Sequence, residues 1–272
     1  MTATRLQKAG YSVYAAGLLL VFYFPVLCIV IASLSKRRYF SFPYETKFMT
    51  TKWYEKAIES PQVMDFLTVS LKIASLTAVI SVVIGFFSAL AYARFRWKGR
   101  KLFQRIVLLP LFFPQSVLGL ALLMWFSFLE ITPSWHTAVV AHTIWITPIT
   151  TLIIAIQAYG LDESLEEAAK DMGATRLQVL SKITFPLLLP GVISAALFAV
   201  LLSWGNFALS LFTTGADSSL PEWLYAKMTS GYQPFIPAIG VLSVIIAIAF
   251  VILIFGLVHF MNRKTRPLTP AH

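Results

Sequence analysis

Residues 164–192 read SLEEAAKDMGATRLQVLSKITFPLLLPGV, a charged, helix-forming segment set between two long apolar runs. The whole chain is 58% apolar and only 12% charged. An ordinary soluble domain carries about 25% charged residues, so this deficit indicates a chain solvated by lipid. The charged segment is therefore predicted to connect two membrane spans and to lie at a membrane surface.

Six apolar segments are long enough to span a bilayer, because about 20 helical residues cross about 30 Å of hydrocarbon. Lipid cannot satisfy free backbone polar groups, so each segment is predicted to be a helix. The first is too long for the apolar region of a signal peptide and is interpreted as an uncleaved anchor. The predicted spans are 13–34, 73–92, 106–129, 137–159, 188–213 and 239–260. The predicted fold is an all-α integral membrane protein with six transmembrane helices.

The distribution of basic residues predicts the orientation. The side that holds both termini, the loop after span two and the segment 164–192 collects fourteen Lys and Arg residues, against seven on the other side, with Lys72 at the border. The positive-inside rule therefore places both termini and this segment in the cytoplasm. Residues 36–38 are locally basic on the opposite side. The net charge of +10 is explained by these orientation signals, so no nucleic-acid partner is expected.

The segment 164–192 is predicted to form two short helices. Ser164 and Glu167 have the spacing of a capping box, which would start the first helix. Gly173 is the predicted C-cap of that helix, and Thr175 is the predicted N-cap of the next. Prolines at 186 and 190 are expected to end the second helix before span five begins.

The first of these helices is predicted to be amphipathic. Leu165, Ala168, Ala169 and Met172 fall at i, i+3, i+4 and i+7 and form one apolar stripe. Glu166 is expected to pair with Lys170 at i+4. The stripe fits either a linker packed under its own helix bundle or a surface that another protein approaches closely, and the pattern alone leaves both open.

The string EAAKDMGATRLQVLSKITFP, residues 167–186, resembles the EAA loop of bacterial binding-protein-dependent (MetI-like) importer permeases. Phe185 stands where the motif usually has leucine, which keeps an apolar group. The stretches TTKWYEKAI (50–58), ARFRWKGRK (93–101) and FTTG (212–215) resemble the second permease of spermidine/putrescine-type systems. The matching motif positions, which the resemblance implies are coupling residues, are Glu167, Ala168, Ala169, Gly173, Ile183 and Pro186.

The resemblance implies a domain organisation and a set of partners. Residues 66–260 would form the permease domain, preceded by an anchor helix and outer loop (1–65) and followed by a basic cytoplasmic tail (261–272). The coupling loop would fit a cleft in a cytoplasmic ABC ATPase, and the assembly would contain two such ATPase subunits, which bind the ATP and Mg. A second, different permease chain and a periplasmic binding protein are also implied. This chain has no phosphate-binding loop, so no cofactor is expected in it.

Polar and aromatic residues inside the predicted spans are candidates for a solute route, because buried polar groups in a membrane are expensive. The alternative is hydrogen bonding between helices, worth about 0.6–2 kcal/mol per contact. The candidates are Trp204, Asn206, Phe207, His142 and Trp145.

No acidic residue lies in the interior of the six spans, whereas polyamine permeases of this type tend to carry acidic residues where this chain has Gly205 and Asn206. This absence weakens a polyamine assignment, and a neutral, zwitterionic or anionic small organic solute fits at least as well. The resemblance implies a small organic solute that is polyamine-, amine- or opine/aminophosphonate-like. An ion-coupled secondary transporter and an integral membrane enzyme are the alternatives. Acidic residues in the spans would favour the first and a reactive cluster the second, and the sequence shows neither a catalytic nor a metal-ligand grouping.

Overall fold

The computed structural model describes residues 5–36, 49–231 and 233–264, with the side chains of 5–9 and 257–264 left aside. Over these ranges the chain is helical, and its one β interaction is an antiparallel bridge between Ser35 and Met49. The helices are α1 Arg5–Ser33, α2 Lys52–Glu59, α3 Pro61–Ala93, α4 Arg100–Leu108, α5 Gln115–Phe128, α6 Trp135–Tyr159, α7 Ser164–Asp171, α8 Arg176–Val179, α9 Phe185–Trp204, α10 Phe207–Thr213, α11 Leu220–Thr229 and α12 Phe235–Lys264.

The predicted all-α membrane fold is confirmed. Within the described ranges, five helices are long and apolar enough to cross a bilayer, and a bent helix pair brings the number to six if it counts as one span. The five are Gly10–Ser33, Pro61–Ala93, Trp135–Tyr159, Arg176–Trp204 and Phe235–Gly256. The predicted tail, 261–272, continues α12 as far as Lys264, and its remainder lies outside the described residues.

The third span, predicted as one helix over 106–129, is instead a bent pair of helices. This region consists of Arg100–Phe112 and Gln115–Phe128, which meet at an angle of 102°. The backbone of Phe113 is extended, with φ −86° and ψ 133°, as expected of a residue that precedes a proline. Pro114 then stands as the N-cap of α5. Hydropathy sums over a window and therefore does not register this local constraint.

The fifth span is also interrupted, so the prediction of one helix over 188–213 is wrong. Helix α9 ends at Trp204, and α10 begins at Phe207. Asn206 between them is extended, with φ −81° and ψ 97°, and its side chain accepts a hydrogen bond from the Leu209 backbone N–H at 3.1 Å. The asparagine thus caps a new helix, a role for which its side chain is well suited.

The chain divides into two compact units, one formed from Met1–Met64 and Leu224–Ile246 and the other from Asp65–Trp223 and Ala247–His272. In the first unit the first turn of α2 is tied to the end of α1 and the residues just after it. The Trp53 indole N–H donates to the Ser35 carbonyl at 2.8 Å, and the Tyr54 and Ser33 hydroxyls lie 2.5 Å apart. The apolar window of α1 is wholly exposed within the chain, as expected of a helix that lipid solvates.

In the second unit α6 packs closely against α3 and α9 through small residues. A Cβ at Gly85 of α3 would lie 3.0 Å from the Thr151 backbone nitrogen, and one at Gly191 of α9 would lie 3.0 Å from the Gln157 side chain. The Thr150 hydroxyl also donates to the Ser81 carbonyl of α3 at 2.8 Å. Small residues and hydroxyl hydrogen bonds are the usual basis of helix association in lipid. This packing fixes α6 in place, and with it the point from which the chain continues into α7 and α8.

Candidate functional site

Helix α7 begins at Ser164, and the capping box predicted for Ser164 and Glu167 is wrong. Ser164 is already the first helical residue, and its backbone N–H donates to the Asp162 carboxylate at 2.9 Å. This hydrogen bond, joined by one from the Ser164 side chain, holds the pKa of Asp162 below its usual range. The stabilisation is therefore present at neutral pH and is lost as the pH falls through that lowered pKa.

The turn after α7 follows the prediction. Gly173 has φ +85°, a left-handed conformation that favours glycine. The Gly173 N–H donates to the Lys170 carbonyl at 2.9 Å, and the Ala174 N–H donates to the Ala169 carbonyl at 3.0 Å. These two bonds define a Schellman motif, which satisfies carbonyls at a helix end. The predicted N-cap at Thr175 is confirmed, because its hydroxyl and the Gln178 side chain form a capping box.

The second predicted helix is not separate from span five. Helix α8 continues through a π-helical turn, Leu180–Thr184, directly into α9, and Pro186 stands in the first turn of α9. A proline supplies no N–H to the preceding turn, and the wider π turn accommodates that loss without ending the helix. The segment 176–204 therefore forms one helical span that reaches from the α7 turn to Gly205.

A buried arginine fixes α7 to the rest of the second unit. Arg94, directly after α3, has a side chain that is only 6% exposed. Its Nη2 lies 3.1 Å from Glu166 Oε1, and its Nη1 donates to the Leu161 carbonyl at 3.0 Å. The Thr184 hydroxyl of the π turn donates to the same Glu166 oxygen at 2.8 Å. Glu166, which the helical spacing would pair with Lys170, thus joins α3, α7 and the start of span five.

This anchoring leaves an apolar surface of α7 and α8 uncovered. Met172 is 83% exposed and Leu177 is 73% exposed, and both stand beside the Gly173 turn. Leu165 and Ala168 are also exposed. Ala169, predicted to share this outward face, is instead buried at 4% exposure, because its side of α7 packs against the chain itself. We refer to Leu165, Ala168, Met172 and Leu177 as the coupling surface.

The remaining motif residues lie around this surface. Glu167 is exposed on α7, Ile183 is half-buried in the π turn, and Pro186 is exposed in α9. A cleft of about 730 Å³ opens between α7, α8 and the end of α3, with Phe87, Arg94 and Leu177 in its wall. Of the motif residues, Glu167 lines this cleft.

The candidate residues for a solute route lie deep in the second unit. His142 of α6 is 1% exposed, and its two ring nitrogens lie 2.8 Å from the Ser203 hydroxyl and 3.1 Å from the Ser210 hydroxyl. One of these serines precedes the break in span five and the other follows it. His142 therefore hydrogen-bonds both halves of the interrupted span, which is the helix-to-helix role weighed against a solute route.

The amide side chain of Asn206 has one hydrogen-bonded atom and one atom without a hydrogen-bond partner among the described residues. Its Oδ1 caps α10, but its Nδ2 is buried without a hydrogen-bond partner within the described residues. The residue faces a small internal cavity, also lined by His142, Ser203, Trp204 and Ser210, which has no room for a water molecule. Buried amide donors are nearly always paired, so this unpaired one keeps Asn206 a candidate for contact with a bound molecule.

The aromatic candidates are only partly gathered at this cavity. Trp204 is 5% exposed, and its ring meets Phe250 edge-on with 5.9 Å between centroids. Trp145 packs instead against a cluster around Ile146 and Ala199, away from the cavity wall. Phe207 is half-buried at the start of α10 and does not line the cavity.

Sequence reasoning missed the roles of Arg94, Glu166 and Thr184. Arg94 looked like one of six basic residues in a loop, and Glu166 lay off the apolar stripe. The available signal was the position of Arg94 in the sequence. Lys72 is followed by 21 residues without charge, and Arg94 is the first charged residue after them. A charge at the end of a membrane helix either extends to the interface or, when it is buried, pairs with another charge or a backbone carbonyl.

The chain is similar to known transport proteins over most of its length. Residues 81–267 match the family described as binding-protein-dependent transport system inner membrane component. The chain is 31% identical over 201 residues to the putrescine transport system permease protein PotI of Escherichia coli, covering 71% of this chain and 72% of the relative. It is 27% identical over 232 residues to the spermidine/putrescine transport system permease protein PotC of Haemophilus influenzae, covering 85% and 89% respectively.

A solved bacterial ABC transporter involved in the import of the acidic polysaccharide alginate has the same fold, with a TM-score of 0.71 and 18% identity. The match covers 95% of this chain and 98% of that one. Together with these relatives, the interrupted spans and the charged connecting segment identify a permease subunit of a bacterial ABC importer. Subunits of this class are not themselves enzymes. The chain belongs to the family of binding-protein-dependent transport system inner membrane components. Membership supports the importer over the ion-coupled transporter and the membrane enzyme.

The Arg94–Glu166 pair predicts the local stability of α7. Glu166→Gln should leave the buried Arg94 charge uncompensated and so raise amide hydrogen exchange in α7 by roughly tenfold or more. Glu167→Gln is the matched control, because Glu167 is the exposed neighbour on the same helix. Hydrogen exchange followed by mass spectrometry on the purified chain makes the measurement. Equal exchange in the two variants would show that the ion pair does not hold α7.

Proposed function

We propose that the coupling surface is where a cytoplasmic ABC ATPase drives this permease. The observation that carries the proposal is the exposure of Met172 and Leu177 on a helix pair that Arg94 and Glu166 hold in place. Met172 lies outside the candidate spans, and Leu177 stands in the first turn of the 29-residue helix 176–204, which exceeds the length of about 20 residues that the hydrocarbon requires. Exposed apolar groups on a rigid support are typical of a protein contact. Glu167, Ala168, Gly173, Ile183 and Pro186 surround or shape this contact, and Ala169 supports it from beneath.

The working assembly would contain two ATPase subunits, which bind ATP and Mg, and a second permease of a different sequence. A periplasmic binding protein would deliver the solute. The family description supports dependence on a binding protein. The polyamine relatives and a solved alginate transporter in complex with a periplasmic protein also support that partner.

The proposal requires the coupling surface and both termini to face the cytoplasm, as the basic residues predict. A cysteine introduced at Lys170 in a Cys28→Ser background should react with a membrane-impermeant maleimide in inside-out vesicles and not in intact spheroplasts. Lys227→Cys, in the loop assigned to the other side, is the matched control and should show the reverse. Labelling of Lys170→Cys in spheroplasts alone would contradict this orientation.

The proposed solute is a small organic amine, and the membrane interior favours a neutral or zwitterionic form of it. The relatives are named for spermidine and putrescine. However, residues 66–129, 131–161 and 172–216 contain no carboxylate that could compensate a dication within the spans. Desolvating an uncompensated charge is costly. An opine- or aminophosphonate-like molecule, which carries its own counter-charge, meets that constraint.

The coupling surface can be tested with one substitution made at two places. Met172→Asp puts a charge into the proposed contact and should reduce recovery of the co-expressed ATPase by more than tenfold, and solute uptake with it. Met228→Asp is the matched control, because Met228 is 66% exposed on α11 and lies far along the chain from α7. Co-purification with a tagged ATPase makes the measurement. Full recovery with Met172→Asp would mean that the segment is a linker and not a contact.

Asn206 offers a separate test of the solute route. Asn206→Ser keeps an oxygen able to cap α10 but removes the unpaired amide donor, whereas Asn206→Ala removes both and should cost about 1 kcal/mol of stability. If the amide serves the solute, both variants should lose uptake, with the melting temperature lowered only in Asn206→Ala. Assays use proteoliposomes containing the complete importer. Normal uptake by Asn206→Ser would show that the residue serves only as a helix cap.

A further inference from the structure

The connection between α3 and α4 carries a concentrated positive charge that the coupling contact does not use. Between residues 94 and 105 stand six basic residues, and no acidic residue occurs anywhere in 66–129. Arg94 is occupied by Glu166, but Arg96, Lys98, Lys101 and Arg105 are exposed. Within the part of the chain that the structure describes, no carboxylate pairs with these four, so their charge is available to a partner.

The exposed face of α4 places basic and apolar side chains side by side. Lys101 and Arg105 form one row at i and i+4. Leu102 and Ile106 form the adjacent row at i and i+4, and Leu109 follows directly after α4; these three are 61%, 58% and 53% exposed. A water-soluble surface does not combine such rows, whereas a helix lying in a membrane interface does, with its apolar row in the acyl boundary and its cations among the headgroups.

The loop before α4 has a fixed shape. The Trp97 indole N–H donates to the Ala91 carbonyl at 2.8 Å, and its ring packs edge-on against Phe103 with 5.7 Å between centroids. Gly99 has φ +97°, and a Cβ there would lie 3.1 Å from the Trp97 ring, so the glycine permits the close turn. Trp97 remains 45% exposed, as suits a tryptophan at headgroup depth.

We propose that Arg96, Lys98, Lys101 and Arg105 form a binding surface for the headgroups of anionic phospholipids. The apolar row of α4 seats the acyl chains beside them, and Trp97 lies at the boundary between the two. The phosphate of a phosphatidylglycerol is the chemistry that fits exposed guanidinium and ammonium groups bordered by apolar side chains. An acidic protein surface would match the charges but would leave Leu102 and Ile106 without an apolar partner. The inference does not depend on the proposed ATPase contact.

The experiment compares how well the full-length chain, purified in detergent, retains an anionic and a zwitterionic lipid. The orientation of the chain in a membrane does not affect this measurement. The chain is titrated with phosphatidylglycerol or with phosphatidylcholine of the same acyl chains, and bound lipids are counted by native mass spectrometry. The variants are Lys101→Gln/Arg105→Gln and the charge-keeping pair Lys101→Arg/Arg105→Lys. Arg176→Gln/Lys182→Gln is the matched control, since it removes two other exposed basic residues.

The wild-type chain should prefer phosphatidylglycerol, and the preference should fall by about fivefold for each charge removed, following the attraction of about one kcal/mol per basic residue. It should weaken with added salt but persist with inorganic phosphate in the buffer. The charge-keeping pair and the matched control should behave as wild type. Equal retention of the two lipids by the wild type, or an unchanged preference in Lys101→Gln/Arg105→Gln, would overturn the proposal. Displacement by inorganic phosphate would assign the surface to free anions and overturn it also.

Discussion

One guanidinium group determines how the charged segment between α6 and α9 is positioned. Arg94 follows a long apolar helix and is almost entirely buried, so its charge must be compensated within the protein. Glu166 supplies the counter-charge, the Leu161 carbonyl accepts a hydrogen bond, and Thr184 completes the shell of the carboxylate. Three helical elements are thereby fixed around one ion pair. The orientation of α7, and hence the outward position of Met172 and Leu177, follows from it.

Much of the fold could be predicted from the sequence, because the energetic rule for a membrane chain is simple. Each long apolar run must satisfy its own backbone and so becomes a helix. The two errors came from residues that act locally. Pro114 forces an extended residue before it and bends the third span, and Asn206 caps a helix where the apolar run continues without a break. A hydropathy average over a window does not register either residue, whereas the conformational preferences of proline and of helix-capping residues indicate both breaks.

The candidate site was predictable where it depends on neighbours in sequence. The left-handed Gly173 and the Thr175 cap are local features, and both were predicted correctly. The ion pair of Arg94 with Glu166 and the burial of Ala169 depend on residues about seventy positions apart or on neighbouring helices, which helical spacing does not encode. The same holds for His142, whose two serine partners come from both sides of the break in span five.

The uninterrupted helix from Arg176 to Trp204 has a mechanical consequence. It contains 29 residues, so at about 1.5 Å per residue the helix is roughly 43 Å long. One end carries Leu177, and the other stops beside Asn206 and the hydroxyl groups that hold His142. A hinge in the middle would absorb displacement, but the π turn widens the helix without severing it. A tilt of ~10° about one end would carry the far end through about 7 Å, enough to part the hydroxyls from the histidine they hold.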